Sequence, residues 1–249
     1  MPESAGSAGF YEDAYTRDER AAAVYGRWRA LGAQGKAEHV IALCARAGIE
    51  PRSTLEVGCG DGALLSELHR RGFGGRLHGV EISEAAATIA RARTEIEEVA
   101  HYDGQRLPGA DGAYDLGIAS HVLEHVPDPP ALLAEIARTC RAVVVEVPLE
   151  RNISAARAGK RSGAAEIGHL QRLDRRAARQ IVRSAGLAIA AELEDALPLR
   201  AQLFFADSAG ARVAATSKWA VRASLHGAAP ALARRLFTVH YACLCLPAA

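Results

Sequence analysis

The sequence holds no disulfide framework and no CxxC metal pair. Its five cysteines, Cys44, Cys59, Cys140, Cys243 and Cys245, are odd in number and scattered, as in chains whose thiols stay reduced. Cys243 and Cys245 lie two apart in an apolar alternating run, which reads as two small core residues on one strand face ahead of any redox or metal role. Charge of one sign is also missing: 30 Lys and Arg stand against 29 Asp and Glu, so bulk charge selects no polyanionic partner. No apolar run reaches membrane-spanning length. The opening "MPESAGSAGFYEDAY" carries neither the basic start nor the apolar segment of a secretory signal. Repeats and long Pro/Gly/Ser linkers are absent, and no basic stretch is interleaved with aromatics for nucleic acid. The expectation is one globular domain in the cytoplasm, with no membrane or nucleic-acid partner.

What the sequence does have is alternation. Residues 1–9 are small and polar and read as disordered. Two helical pieces are predicted before Pro51, broken near Gly32 and Gly35, with Ala37, Val40, Ile41 and Cys44 facing inward. Then "STLEVG", "RLHGVEIS", "IEEVAHYD", "YDLGIAS" and "RAVVVEVP" read as strands, with "ALLSELHRRG", "EAAATIARARTE" and "PALLAEIART" as helices between them. Strand and helix in turn mean a doubly wound, mostly parallel sheet with helices on both faces. Asp174 and Gly186 bracket a further helix as N-cap and stop, "LAIAAEL" is another strand, and "LFTVHYACLCL" is apolar enough to be the last. Residues 196–236 are mostly helical in composition.

The stretch "STLEVGCGDGALL" decides which ligand such a sheet would take. Gly58, Gly60 and Gly62 alternate behind Glu56 and feed a helix, the form of a ligand-binding turn. The dinucleotide fingerprint is GxGxxG, whereas this turn is GxGxG with Asp61 inside it. Asp61 beside a pyrophosphate sets like charges together; a sulfonium ligand with an ammonium group suits Glu56 and Asp61 better. Glu81 ends the second strand and is either a ribose acceptor or a helix N-terminal acid. Asp103–Gly104 follows the third strand as an adenine-edge pair or a plain turn.

On these residues the chain resembles the class I S-adenosylmethionine-dependent methyltransferases over roughly residues 50–195. "LEVGCGDG", "GVEIS", "YDG" and "YDLGIASHVLEHVPDP" arrive in that family's order. The resemblance implies a Rossmann-like three-layer sandwich with a seven-stranded, mostly parallel sheet and an antiparallel last strand. It also implies S-adenosylmethionine as cofactor. Gly58, Cys59 and Gly60 would hold the methionine portion, with Glu56 orienting it and Ser120 lining it. Glu81 would take the ribose, Ile82 would pack on adenine, and Asp103 and Gly104 would border it. Residues 1–50 would form a helical lid, in which Tyr15 is the cofactor contact expected ahead of Tyr11, Trp28 and Lys36. Residues 51–249 would be the cofactor domain, variable on its substrate side around 149–172 and 196–236. The expected activity is methylation of a small molecule at oxygen. Nitrogen or carbon acceptors, or a non-catalytic cofactor-binding protein, are the alternatives.

Methyl transfer to a hydroxyl calls for a base. In "SHVLEHV", His121, Glu124 and His125 are spaced i, i+3, i+4 on adjoining helical faces. His121, at the mouth of the sheet, is the first catalytic candidate. His169, in "EIGHLQRLD", is its rival, and His125 is a packing residue or a third base. Two imidazoles and a carboxylate also suit a divalent ion. Similar quinone-ring O-methyltransferases place an acid where His121 stands, so no metal is expected. Glu146, inside "VVVEVP", either lines the pocket or is satisfied internally. Residues 151–183 carry nine Lys or Arg against Glu166 and Asp174, a face for an anionic acceptor or a solvated helix.

Overall fold

The run Cys140–Pro148, β-branched in its middle, forms an interior strand in which every residue but Arg141 is buried, as a strand covered on both faces requires. This is β5 of a computed structural model that describes residues 19–157 and 168–248. Before it come α1 (Glu19–Ala47), β1 (Ser53–Val57), α2 (Ala63–Arg70), β2 (Arg76–Glu81), α3 (Glu84–Arg91), β3 (Glu98–His101), β4 (Tyr114–Ser120) and α4 (Pro129–Thr139). After it come α5 (Arg175–Ser184), β6 (Leu187–Asp195), α6 (Leu199–Leu203), α7 (Ala209–Ala228), α8 (Pro230–Leu236) and β7 (His240–Pro247).

The strands form one sheet in the order β3-β2-β1-β4-β5-β7-β6. All neighbours are parallel except β7, which runs antiparallel to both β5 and β6. The seven-stranded, Rossmann-like sandwich with an antiparallel last strand is therefore the architecture. Connections lead outward in opposite directions from β1 and β4, which leaves a crevice at their C-terminal ends, where ligands of open α/β sheets bind. The register sets Ser120 beside Glu146, and Pro148 beside His240. The antiparallel β7 thus begins at the edge where β4 and β5 end.

Helix α1 corrects one expectation. It runs unbroken through Gly32 and Gly35, although each glycine costs about 1 kcal/mol relative to alanine. Ala33, Ala37, Val40, Leu43 and Cys44 bury against Leu116, Ile118, Val144, Ala242 and Leu244 of the sheet. Burial of that face outweighs two weak positions. Helix α5 starts as read: the Asp174 side chain accepts from the Ala177 amide at 2.8 Å. Cys243 and Cys245 are fully buried core residues.

Candidate active site

The glycine turn is built to follow β2. The Gly58 and Cys59 amides both donate to the Val80 carbonyl, at 2.8 and 3.1 Å. The Gly60 amide donates to Glu81 Oε2 at 2.8 Å. Gly58 has φ 70°, and a Cβ there would lie 2.8 Å from Val122 Cγ2, so any other residue meets both a left-handed backbone and that methyl. The amides of Gly58, Cys59 and Gly60 are thus spent inward. Glu81 Oε1 also accepts from Ile82 and Ser83 at 2.9 and 3.0 Å. With three of roughly four lone-pair sites engaged, one remains for a ligand hydroxyl.

Glu56 Oε2 and Ser120 Oγ, at the ends of β1 and β4, are among the polar atoms buried without a hydrogen-bond partner. Burial pushes the Glu56 carboxyl up to about 8, against the attraction of Lys36 and with added repulsion from Asp61 and Glu81. Asp61 itself accepts from Arg29 Nε at 2.7 Å, which ties α1 across the turn. Ile82 and Gly104 adjoin, a Cβ at Gly104 lying 3.9 Å from Ile82 Cγ2. Asp103 is exposed, and its Oδ1 accepts from the Gln105 and Arg106 amides at 2.9 and 3.3 Å, so it is also the turn residue of the blander reading. Tyr15 and Tyr11 lie outside the described residues. Trp28 packs on Phe204 and Phe205, ring centroids 5.2 and 5.3 Å away.

Past β4 the histidines gather. His121 is the only non-glycine residue with positive φ (59°) among those described, a conformation that bulky side chains avoid. Its Nδ1 lies 3.2 Å from Glu124 Oε1 and its Nε2 3.6 Å from Glu146 Oε1. Burial and Lys36 oppose protonation of this ring, yet the two carboxylates raise its pKa. His240 Nδ1 is 3.4 Å from the same Glu146 oxygen, and His39 Nδ1 is 3.3 Å from the other. Burial pushes Glu146 up, but His121, His240 and His39 together hold it well below the usual carboxylate range. His39 also faces Asp195 at 3.4 Å; against the cost of burial, its two carboxylates raise it to about 9.

A second group lies beside the first. His125 Nδ1 donates to the Gly168 carbonyl at 3.1 Å, and burial lowers its pKa. His169 Nδ1 lies 2.8 Å from Glu150 Oε2, and the two rings are 4.8 Å apart in edge contact. The Glu124 carbonyl accepts the Leu170 and Gln171 amides at 2.8 and 3.1 Å, so the loop after β5 is pinned to the turn after β4. Sequence reasoning missed His39 and His240. Lys36 and His39 share a helix face at i, i+3, and His240 is a polar start to an apolar strand, but only the fold joins them.

The basic stretch is partly consumed. Arg175 and Arg179 pair with Glu192. Beyond β5, a pocket of about 690 Å³ is lined by Arg151, Arg172 and Arg235 together with Glu150, Asn152 and Leu236, and Arg151 also faces Asp174 at 3.5 Å.

Residues 27–192 match the family model described as a methyltransferase domain. The chain is similar to the ubiquinone biosynthesis O-methyltransferase of Acinetobacter baylyi, 33% identical over 103 residues, which are 39% of this chain and 41% of that protein. The match thus spans about two fifths of that relative's length. Among solved structures, geranyl diphosphate C-methyltransferase from Streptomyces coelicolor, determined with Mg2+, geranyl diphosphate and S-adenosyl-L-homocysteine, superposes with a TM-score of 0.60. It is 18% identical, over 86% of this chain and 80% of that one. A methyltransferase structure from Thermotoga maritima gives 0.57 at 19% identity, over 76% and 83% of the two chains.

Proposed function

The chain belongs to the methyltransferase-domain family, and on that premise we propose that it carries the methyl group of S-adenosylmethionine to an oxygen of a small-molecule acceptor. One observation carries the choice of cofactor. The turn's amides are engaged by Val80 and Glu81, while Glu56 Oε2 and Ser120 Oγ are buried without a hydrogen-bond partner. A pyrophosphate needs free amides; an ammonium group beside Glu56 favours its ionised form and pairs with it. When bound, S-adenosylmethionine supplies an electrophilic methyl carbon. Glu56 and Ser120 would hold the methionine end, with the carbonyls of Gly58 and Gly60. Cys59, buried under Gly79, shapes the turn. Glu81 would take a ribose hydroxyl, Ile82 the adenine face, and Asp103 and Gly104 its edge.

Glu81 and Asp103 then fill one role each, and α1 divides in two. Its second half is a core layer, so only residues before about Leu31 remain to act as the lid, Tyr15 among them. The acceptor would enter from the pocket beyond β5, whose Arg151, Arg172 and Arg235 suit an anionic group. No described helix is long and apolar enough to cross a membrane, and the cysteines are free and buried, which supports a reducing, cytoplasmic setting.

Among the three histidines, His125 is our reading of the group that accepts the hydroxyl proton. Its Nδ1 donates to Gly168, so the neutral ring carries its lone pair on Nε2. Both ring nitrogens of His121 face carboxylates, which suits a positioning residue. His169 lies between, held by Glu150. Calorimetry with S-adenosylhomocysteine and NAD+ tests the cofactor: binding of the first alone is expected, and binding of NAD+ alone overturns the reading.

A further inference from the structure

We infer that His121, Glu146 and His240 form a binding site for one divalent, zinc-class cation where β4 and β5 end and β7 begins. One ligand atom from each residue lies within 4.8 Å of the others. Glu146 Oε1 is 3.6 Å from His121 Nε2 and 3.4 Å from His240 Nδ1. Around a tetrahedral ion with bonds of about 2.0–2.2 Å, neighbouring ligand atoms sit roughly 3.3–3.6 Å apart. Hydrogen bonds do not account for the spacing: both oxygens of the buried Glu146 and His121 Nε2 have no hydrogen-bond partner. The carboxylate is buried to 1% exposure, whereas the two imidazole side chains are 24% and 20% exposed. The ligand atoms Glu146 Oε1 and His121 Nε2 are themselves buried, and three protein ligands leave one tetrahedral position for a fourth.

The groups around it are those a bound ion needs. Glu124 stands 3.2 Å behind His121 Nδ1, which favours the tautomer with Nε2 free to bind metal. His39 backs Glu146 Oε2 and is itself held by Asp195. The left-handed backbone at His121, φ 59°, turns this ring toward Glu146 at the cost of local strain. Two nitrogen donors and one carboxylate suit zinc or cobalt and not magnesium.

What the ion would do rests on the methyl-transfer reading. An acceptor hydroxyl in the fourth position becomes more acidic and gives its proton to His125. Its oxygen then forms a bond to the methyl carbon as the carbon–sulfur bond breaks, and the sulfonium leaves as a neutral thioether.

The test is run on the whole chain, stripped with a chelator and titrated with Zn2+ and Co2+, with Mg2+ as control. One equivalent of Zn2+ is expected, and Co2+ should give the visible absorption of a low-coordinate nitrogen–oxygen site. His240→Ala and Glu146→Gln should abolish both, Glu124→Gln should weaken Zn2+ roughly 10- to 100-fold, and His169→Ala should change neither. Should the variants not fold, X-ray absorption of zinc-loaded wild type must still show two imidazoles, and His169→Ala must leave that signal intact. No binding of Zn2+ by wild type overturns the inference. So does loss with His169→Ala, which would move the ion to the cluster of Glu124, His125 and His169. S-Adenosylhomocysteine titrated in parallel separates the two readings: its binding without zinc leaves the cofactor proposal standing.

Discussion

The Gly60 amide and the Glu81 carboxylate meet at 2.8 Å, so the turn after β1 and the end of β2 are one unit. Glu81→Ala leaves the amides of Gly60, Ile82 and Ser83 without their acceptor. An expected loss of about 1–3 kcal/mol in stability follows from stranded donors. Affinity for S-adenosylhomocysteine should fall about 10- to 100-fold with the charged acceptor gone. Glu81→Gln keeps a carbonyl acceptor and should restore much of the melting temperature but less of the affinity. Equal affinity for both variants and wild type would remove Glu81 from the ligand site.

Glu56 gives the pH dependence its sign. Its carboxyl is pushed up to about 8 from a usual 4.5 by burial, with Lys36, Asp61 and Glu81 as the charges around it. Between these values the native chain keeps a proton that the unfolded chain has lost. Stability therefore falls as pH rises from about 4.5 to 8, by at most about 1.4 kcal/mol per pH unit. Glu56→Gln should flatten that slope in thermal melts from pH 5 to 9. An unchanged slope would place the proton elsewhere.

The strands and their order were legible because apolar runs closed by glycine or acid repeat with a strand-and-helix period; "RAVVVEVP" and "STLEVG" are buried almost throughout. The acids at successive strand ends were legible for the same reason, since a strand end is local. Two things were not. Gly32 and Gly35 look like a helix break, and only the sheet face buried by Ala33, Ala37 and Val40 shows why α1 continues. His39 and His240 meet around Glu146 from opposite ends of the chain, and no local pattern encodes a contact made by an antiparallel seventh strand.

Gly58 tests how tightly the turn is fitted. Its φ of 70° and the 2.8 Å approach of Val122 Cγ2 to a Cβ act separately. Gly58→Ala should cost about 1–2 kcal/mol from the left-handed backbone alone, or roughly 2–8 °C in melting temperature for a domain of this size. The methyl contact should add to that. Paired with Val122→Ala the contact cost should disappear and the backbone cost remain. A double variant as stable as Val122→Ala alone would mean that the turn relaxes freely.

His125 and His121 should part company in kinetics. With Nδ1 held by Gly168 and its pKa lowered by burial, His125 is neutral at pH 7 among Glu124, His169 and His121. As the proton acceptor, its removal in His125→Ala should lower kcat by about 10²–10⁴-fold with cofactor affinity unchanged. The acid limb of the rate profile should go with it. Its ring also anchors the loop at Gly168, so part of the loss can be structural. His125→Asn keeps a donor for that carbonyl without a basic nitrogen, which separates the roles. If His125→Asn restores turnover, the ring is a loop anchor and the proton leaves by another route. If it restores only the melting temperature, the missing lone pair on Nε2 is the cause, and the geometry that ties the loop after β5 to the turn after β4 also sets the base in place.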